Sequence, residues 1–123
     1  MQAFLNVLKE DNEIAFYKVD RAPNRKIWRI FWIYKKSLAN WKRNPELLVM
    51  DNTYKVNRFN MPLLQITGLT ALHTNFSVAF GVAAKEDEEA FMWLLEQLDN
   101  VRQHHKIPDD AFKAAVRRVF YTS

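Results

Sequence analysis

The sequence predicts an α+β domain, and three observations predict it. Residues 76–83 alternate large and small side chains, the period of a strand with two unlike faces. Phe91, Leu94, Leu95, Leu98 and Val101 recur at helical spacing, which gives a long helix one apolar face. Two further β-rich runs, 47–51 and 61–71, precede both, with no helical pattern between them. Three consecutive strands followed by a helix across them is an α+β plan.

The elements follow in order. Phe4, Val7 and Leu8 have helical spacing, and Glu10-Asp11-Asn12 stops a short helix. Ile14–Val19 and Ile27–Tyr34 are β-rich and flank a Pro23-Asn24 turn, so they read as a hairpin. In its second strand both faces are mostly apolar (Ile27, Phe31, Ile33 on one; Trp28, Ile30, Trp32, Tyr34 on the other). A strand of that kind is covered twice or lies beside another segment. Ser37 is positioned to cap a helix that Asn44-Pro45 ends. A strand opens at Leu47, and a connection over Lys55–Asn60 leads to a strand over 61–71. A turn near His73-Thr74-Asn75 precedes the alternating strand. Glu86, Asp87, Glu88 and Glu89 suit the positive end of the long helix. That helix is expected to fray near His104-His105, before Pro108. Asp109-Asp110 can cap a last helix over 111–119.

The totals narrow the function classes. A chain of 123 residues fits one domain with its own core. With 49 % apolar residues it is not disordered, and no run of 18 apolar residues predicts a membrane span. Met1–Asn6 lacks the basic-then-apolar pattern of a signal peptide. Cysteine is absent, which removes disulfides, zinc ribbons and thiol catalysis and fits an intracellular protein. The net charge of +4 is unevenly spread: residues 18–58 carry +8 and the remainder −4. A basic first half can face phosphate, or be a solvated surface with a mild bias.

One local conflict stands out. Leu47-Leu48-Val49-Met50 is followed by Asp51. A carboxylate that ends so apolar a strand needs a cation, a hydrogen-bonding cluster or exposure at the strand end, because an unpaired buried charge is very unfavourable.

The motif around this acid carries a family resemblance. Leu48-Val49-Met50-Asp51-Asn52-Thr53-Tyr54-Lys55 is followed by Asn57-Arg58-Phe59-Asn60-Met61-Pro62-Leu63-Leu64. Then come Gly68, Phe76–Phe80, and the run Glu88-Glu89-Ala90-Phe91-Met92-Trp93-Leu94-Leu95-Glu96-Gln97-Leu98. Together these resemble the MULE transposase domain of Mutator-like DNA transposons, also seen in transposase-derived regulators of the FAR1 type. Ile30-Phe31-Trp32 and Lys36–Pro45 look like what precedes the domain in such elements.

The resemblance implies an RNase H-like core within the α+β plan. That core is a partial one: a three-stranded meander over 47–84 and then the long helix, in a domain spanning 47–123. A helix–hairpin–helix region over 1–46 precedes it. The resemblance also implies DNA as partner and an Asp-Asp-Glu set holding Mg²⁺ or Mn²⁺ for phosphodiester cleavage and strand transfer. Asp51 matches the first acid. Asp110, with Asp109 as its alternative, is the nearest match to the second, although Pro108 stands where a strand residue is expected. The third, a Glu on a later helix in the family, has no counterpart before Ser123, so the chain alone is expected to be a catalytically incomplete fragment. Lys55 and Arg58, just past Asp51, are candidate phosphate contacts or plain surface charges.

Two rival readings remain at this level. One is a domesticated, nuclear DNA-binding regulator without nuclease activity. The other is a truncated relic that self-associates through an exposed sheet edge. Trp28, Trp32 and Trp41 are expected in the core rather than under nucleobases. His104-His105 are expected as solvated residues at a helix end rather than metal ligands, since no third ligand stands at a metal spacing.

Overall fold

The computed structural model describes residues 2–45, 48–51, 63–70, 72, 74–84 and 88–109, with the backbone alone at 49–51 and 88. Eight elements follow the chain: α1 (Gln2–Glu10), β1 (Ile14–Arg21), β2 (Ile27–Tyr34), α2 (Lys35–Arg43), β3 (Leu48–Asp51), β4 (Leu63–Leu69), β5 (Asn75–Ala83) and α3 (Glu88–His104). The strands form one antiparallel sheet in the order β1-β2-β5-β4-β3. The expected meander is present as β3–β4–β5, but it is not a separate sheet. β2 joins it through Arg29↔Ala83 to Trp32↔Phe80.

That junction explains the apolar pattern of β2. Phe31 and Ile33 enter a core with Leu38 and Trp41 of α2 and Leu94, Leu98 and Val101 of α3. Ile30 and Trp32 enter a second core, on the opposite face, with Leu5 and Leu8 of α1. Trp32 is stacked on Phe80 with ring centroids 5.6 Å apart, and Phe4 meets it edge-on at 5.0 Å. Trp32 and Trp41 are therefore core residues, whereas Trp28 stays 40 % exposed.

Small residues let α3 lie close to the sheet. A Cβ on Gly81 would overlap Leu94 Cδ2 and come within 2.9 Å of its Cδ1. Gly68 makes the same kind of space for the Phe76 ring. Phe76 nevertheless stands on the face opposite to Phe80 and Val82, contrary to the strict alternation expected of β5. A bulge at Val78, where the β4–β5 register shifts between Ile66 and Thr67, reverses the faces of the strand's first residues. Val78 itself is fully buried on the α3 side.

Two helix ends depart from expectation. Helix α2 starts at Lys35, directly after β2, with Tyr34 as an N-cap lacking a side-chain bond. Ser37 is thus a buried residue of its first turn and not its cap. The Lys35 N–H, one of the orphan donors of that end, is taken by the Glu13 carbonyl at 2.8 Å. The end of α3 does not fray at His104-His105. Lys106 adopts the left-handed conformation (φ 56°) and its N–H donates to Gln103 O, while the Ile107 N–H donates to Arg102 O. These are the two bonds of a Schellman motif, with Ile107 buried as its apolar anchor. No described helix is long and apolar enough to cross a membrane.

Candidate functional site

The sheet has two ends, and one of them collects the residues of interest. β3 ends at Asp51, paired with Gln65 near the start of β4. At that same end β5 finishes at Ala83, β2 begins at Ile27 and β1 finishes at Arg21. Asp51 is thus the last residue of β3, level in register with Gln65, Phe80 and Trp32. It sits one register step from a polar pair: Gln65 Nε2 donates to Ser77 Oγ at 2.9 Å. Lys55, Arg58 and Asp110 lie outside the described residues. Asp109 is half-buried beyond Pro108, following the anchored Ile107.

Among the described residues, no group of three His, Cys, Asp or Glu comes together that could hold a metal ion. Hard divalent cations take several oxygen ligands, so the described donors do not fit a complete Mg²⁺ or Mn²⁺ site. No chemical step can be built on Asp51 alone.

The β1–β2 turn occupies the other edge of this end and is tightly specified. The Arg25 N–H donates to Ala22 O at 2.8 Å, and the Ala22 N–H donates to Lys26 O at 2.8 Å. Pro23 and Asn24 fill the centre of the turn, and Asn24 Oδ1 accepts from the Lys26 N–H at 3.1 Å. Arg25 is left-handed (φ 68°). This is a three-residue hairpin loop, whose left-handed position usually holds glycine. Arg21 Nη1 donates back across the loop to Arg25 O at 3.1 Å. Arg21, Arg25 and Lys26 are all exposed.

Behind the turn, Arg29 is a buried cation held by Asp20 at 2.9 Å and by Glu89 of α3 at 3.4 Å. Its guanidinium also lies 5.3 Å from the Trp28 ring centroid. The Asp20 carboxylate is thereby engaged on β1, and the acid nearest the turn in sequence does not neutralise its tip. The charge excess over 18–58 was legible in the sequence. The left-handed conformation of Arg25 beside the expected Pro23-Asn24 turn was not.

The opposite end of α3 forms a cleft of about 470 Å³ against β1, lined by Ala15, Phe16, Asn100, Val101, His104 and His105. Burial, then Lys42 of α2, then His104, hold the His105 imidazole below its ordinary pKa. The two histidine rings meet edge-on at 4.9 Å.

The model of the MULE transposase domain matches residues 47–120. The chain is 26 % identical over 125 aligned residues to Protein FAR1-RELATED SEQUENCE 5 of Arabidopsis thaliana, covering 95 % of the chain and 16 % of that protein. It is 22 % identical to Protein FAR1-RELATED SEQUENCE 4 of the same plant, covering 76 % of the chain and 13 % of that protein. A fungal protein named PKS-NRPS hybrid synthetase cheA, from Chaetomium globosum, is 28 % identical over 67 % of the chain and 2 % of its own length. The chain thus spans a sixth or less of each of these relatives. No solved structure matches it.

Proposed function

The chain belongs to the MULE transposase domain family, and we propose that it forms the first sheet of a Mutator-like transposase core, RNase H-like in plan, that handles DNA. Its partner is duplex DNA, its location is with that DNA in the nucleus, and Asp51 is the first of the acids that bind Mg²⁺ or Mn²⁺ in the whole protein. One observation carries the proposal: an ionisable residue closes the apolar strand β3 at the sheet end, inside the family match. A strand end is where a carboxylate can be held rigidly by the sheet yet remain open to a ligand. Asp109 and Asp110 are the candidates for the second acid.

The test is nicking of supercoiled plasmid in Mg²⁺ or Mn²⁺ by the longest natural protein that contains this chain, wild type and Asp51→Asn. A transposase nicks, and the variant loses at least ~100-fold in rate, as loss of a metal-binding carboxylate implies, while DNA binding persists. Nicking untouched by Asp51→Asn overturns the assignment of that residue. Duplex binding without nicking in either form would instead favour the transposase-derived regulator.

A further inference from the structure

We propose that the β1–β2 turn is a duplex-DNA contact that holds the double helix across the sheet end where Asp51 lies. The choice of DNA as the partner rests on the transposase reading above; the choice of the turn rests on geometry. Three features single it out.

The first is position. The last register pair between β2 and β5 is Arg29↔Ala83, with the Ala84 N–H donating to Trp28 O at 2.7 Å just beyond it, so Arg21, Ile27 and the loop lie past the described part of β5. By strand order, β2 and β3 are separated by β5 and β4. At ~4.8 Å per strand step, Ile27 and the turn are offset from Asp51 by roughly 15 Å across the sheet and, because Asp51 is level in register with Trp32, by about 17 Å along the strands at ~3.3 Å per residue. A duplex laid over this end spans both. The end of a two-stranded ribbon also suits a DNA groove, the wider of which is ~12 Å across.

The second is rigidity and strain. A left-handed non-glycine residue costs roughly 1–2 kcal/mol, and glycine would fill this turn without that cost. The chain instead places a guanidinium there, and Arg21 is fastened to the carbonyl of the same residue. Strain kept at a tip that glycine would relieve points to a use for the side chain.

The third is charge. Arg21, Arg25 and Lys26 are exposed, and none has a carboxylate partner among the described residues. The nearby acid Asp20 is held by Arg29. Trp28, beside them and 40 % exposed, offers an apolar surface to sugar or base. Cations alone occur on many surfaces; three of them on one strained, hydrogen-bonded turn at the Asp51 end do not reduce to a solvated face.

The experiment is fluorescence anisotropy of a labelled duplex of arbitrary sequence, titrated with the full chain at stepped KCl concentrations. Each lost phosphate contact lowers the magnitude of the log K against log salt slope by ~0.9. Arg21→Gln/Arg25→Gly/Lys26→Gln is expected to reduce the slope by about 2–3 and to weaken binding at least ~10-fold at low salt. Arg25→Gly alone keeps the left-handed turn, so its thermal midpoint holds or rises while its slope falls by about 1. A turn that served folding alone would leave binding unchanged in that variant.

The comparison triple is Lys9→Gln/Lys35→Gln/Lys36→Gln, which removes equal charge from exposed positions at the other end of the sheet. An unchanged slope in the turn variants, or an equal fall in the comparison triple, overturns the contact and leaves the transposase reading standing. Turn-dependent binding that prefers an RNA duplex also overturns it. Wild-type chain that binds no duplex at the lowest salt overturns both.

Discussion

The two faces of the sheet are built differently. On one, α2 and α3 press an aliphatic core of Leu38, Leu94, Leu98, Val101 and Ile107 onto Ile33, Leu64, Ile66 and Val78, with Phe31 and Trp41 among them. The approach is close because Gly81 leaves space for Leu94. On the other, the nine-residue α1 contributes only Leu5 and Leu8 as buried residues, which pack with Ile27, Ile30 and Val82 and with the rings of Phe4, Trp32, Tyr34 and Phe80. The contrast teaches where cohesion resides. One face is held by two helices and by contacts that cross four of the strands, so it stands or falls as a unit. The other is a small cluster beneath one short helix, which can open locally.

Truncations on the two faces test this most severely. Trp41→Ala removes a side chain that is 1 % exposed from the larger core, with an expected loss of about 3–5 kcal/mol in urea unfolding. Leu8→Ala should cost about 2–3 kcal/mol and speed amide exchange in α1 and not in α3. Equal losses, or exchange that rises everywhere, would erase the distinction between the faces.

Close approach is the next point to probe. Gly81→Ala forces Leu94 or the helix to move and should cost about 1–3 kcal/mol. Combined with Leu94→Ala, part of that cost should vanish, since the residues touch and their effects are not additive. Strict additivity in the double-mutant cycle would show that α3 can simply ride outwards.

The smallest effect is one of pH. The His105 imidazole is held below its ordinary value of 6.5, first by burial, then by Lys42 and His104. Between its lowered folded pKa and 6.5 the unfolded chain binds more protons. Stability therefore rises with pH through that window, and is lost as pH falls through it. The thermal midpoint of His105→Asn should depend less steeply on pH there than that of the wild type. Lys42→Gln should move the His105 ring titration, followed by NMR, upwards. A titration that stays put would remove Lys42 as a cause.

Much of this architecture was legible in the sequence because period and partner agreed. The hairpin strands, the apolar face of α3 and the doubly covered β2 all follow from side-chain alternation and spacing, and each appears where expected. The misses share a cause. Ser37 has the chemistry of a cap, but the Glu13 carbonyl arrives from another part of the chain to take the first helical N–H. The alternation of β5 breaks at Val78 because its partner strand is one residue short there. His104 and His105 look like a frayed end until Ile107 is found buried, holding the helix terminus in place. In the candidate site, Asp51 was legible because a carboxylate closing an apolar run is a conflict visible in one dimension. In the basic turn, the left-handed Arg25 and the Arg21 bond to its carbonyl were not, since both depend on the backbone geometry of the loop.

The chain alone determined its elements, its charge asymmetry and the family to which it belongs, because these depend on residue types and on spacings along one strand or helix. Only the tertiary structure decided that the hairpin and the meander are one sheet, and that β3 runs towards the end of it that carries the basic turn. Strand order and direction are set by hydrogen bonds between residues far apart in sequence, so no local pattern can encode them.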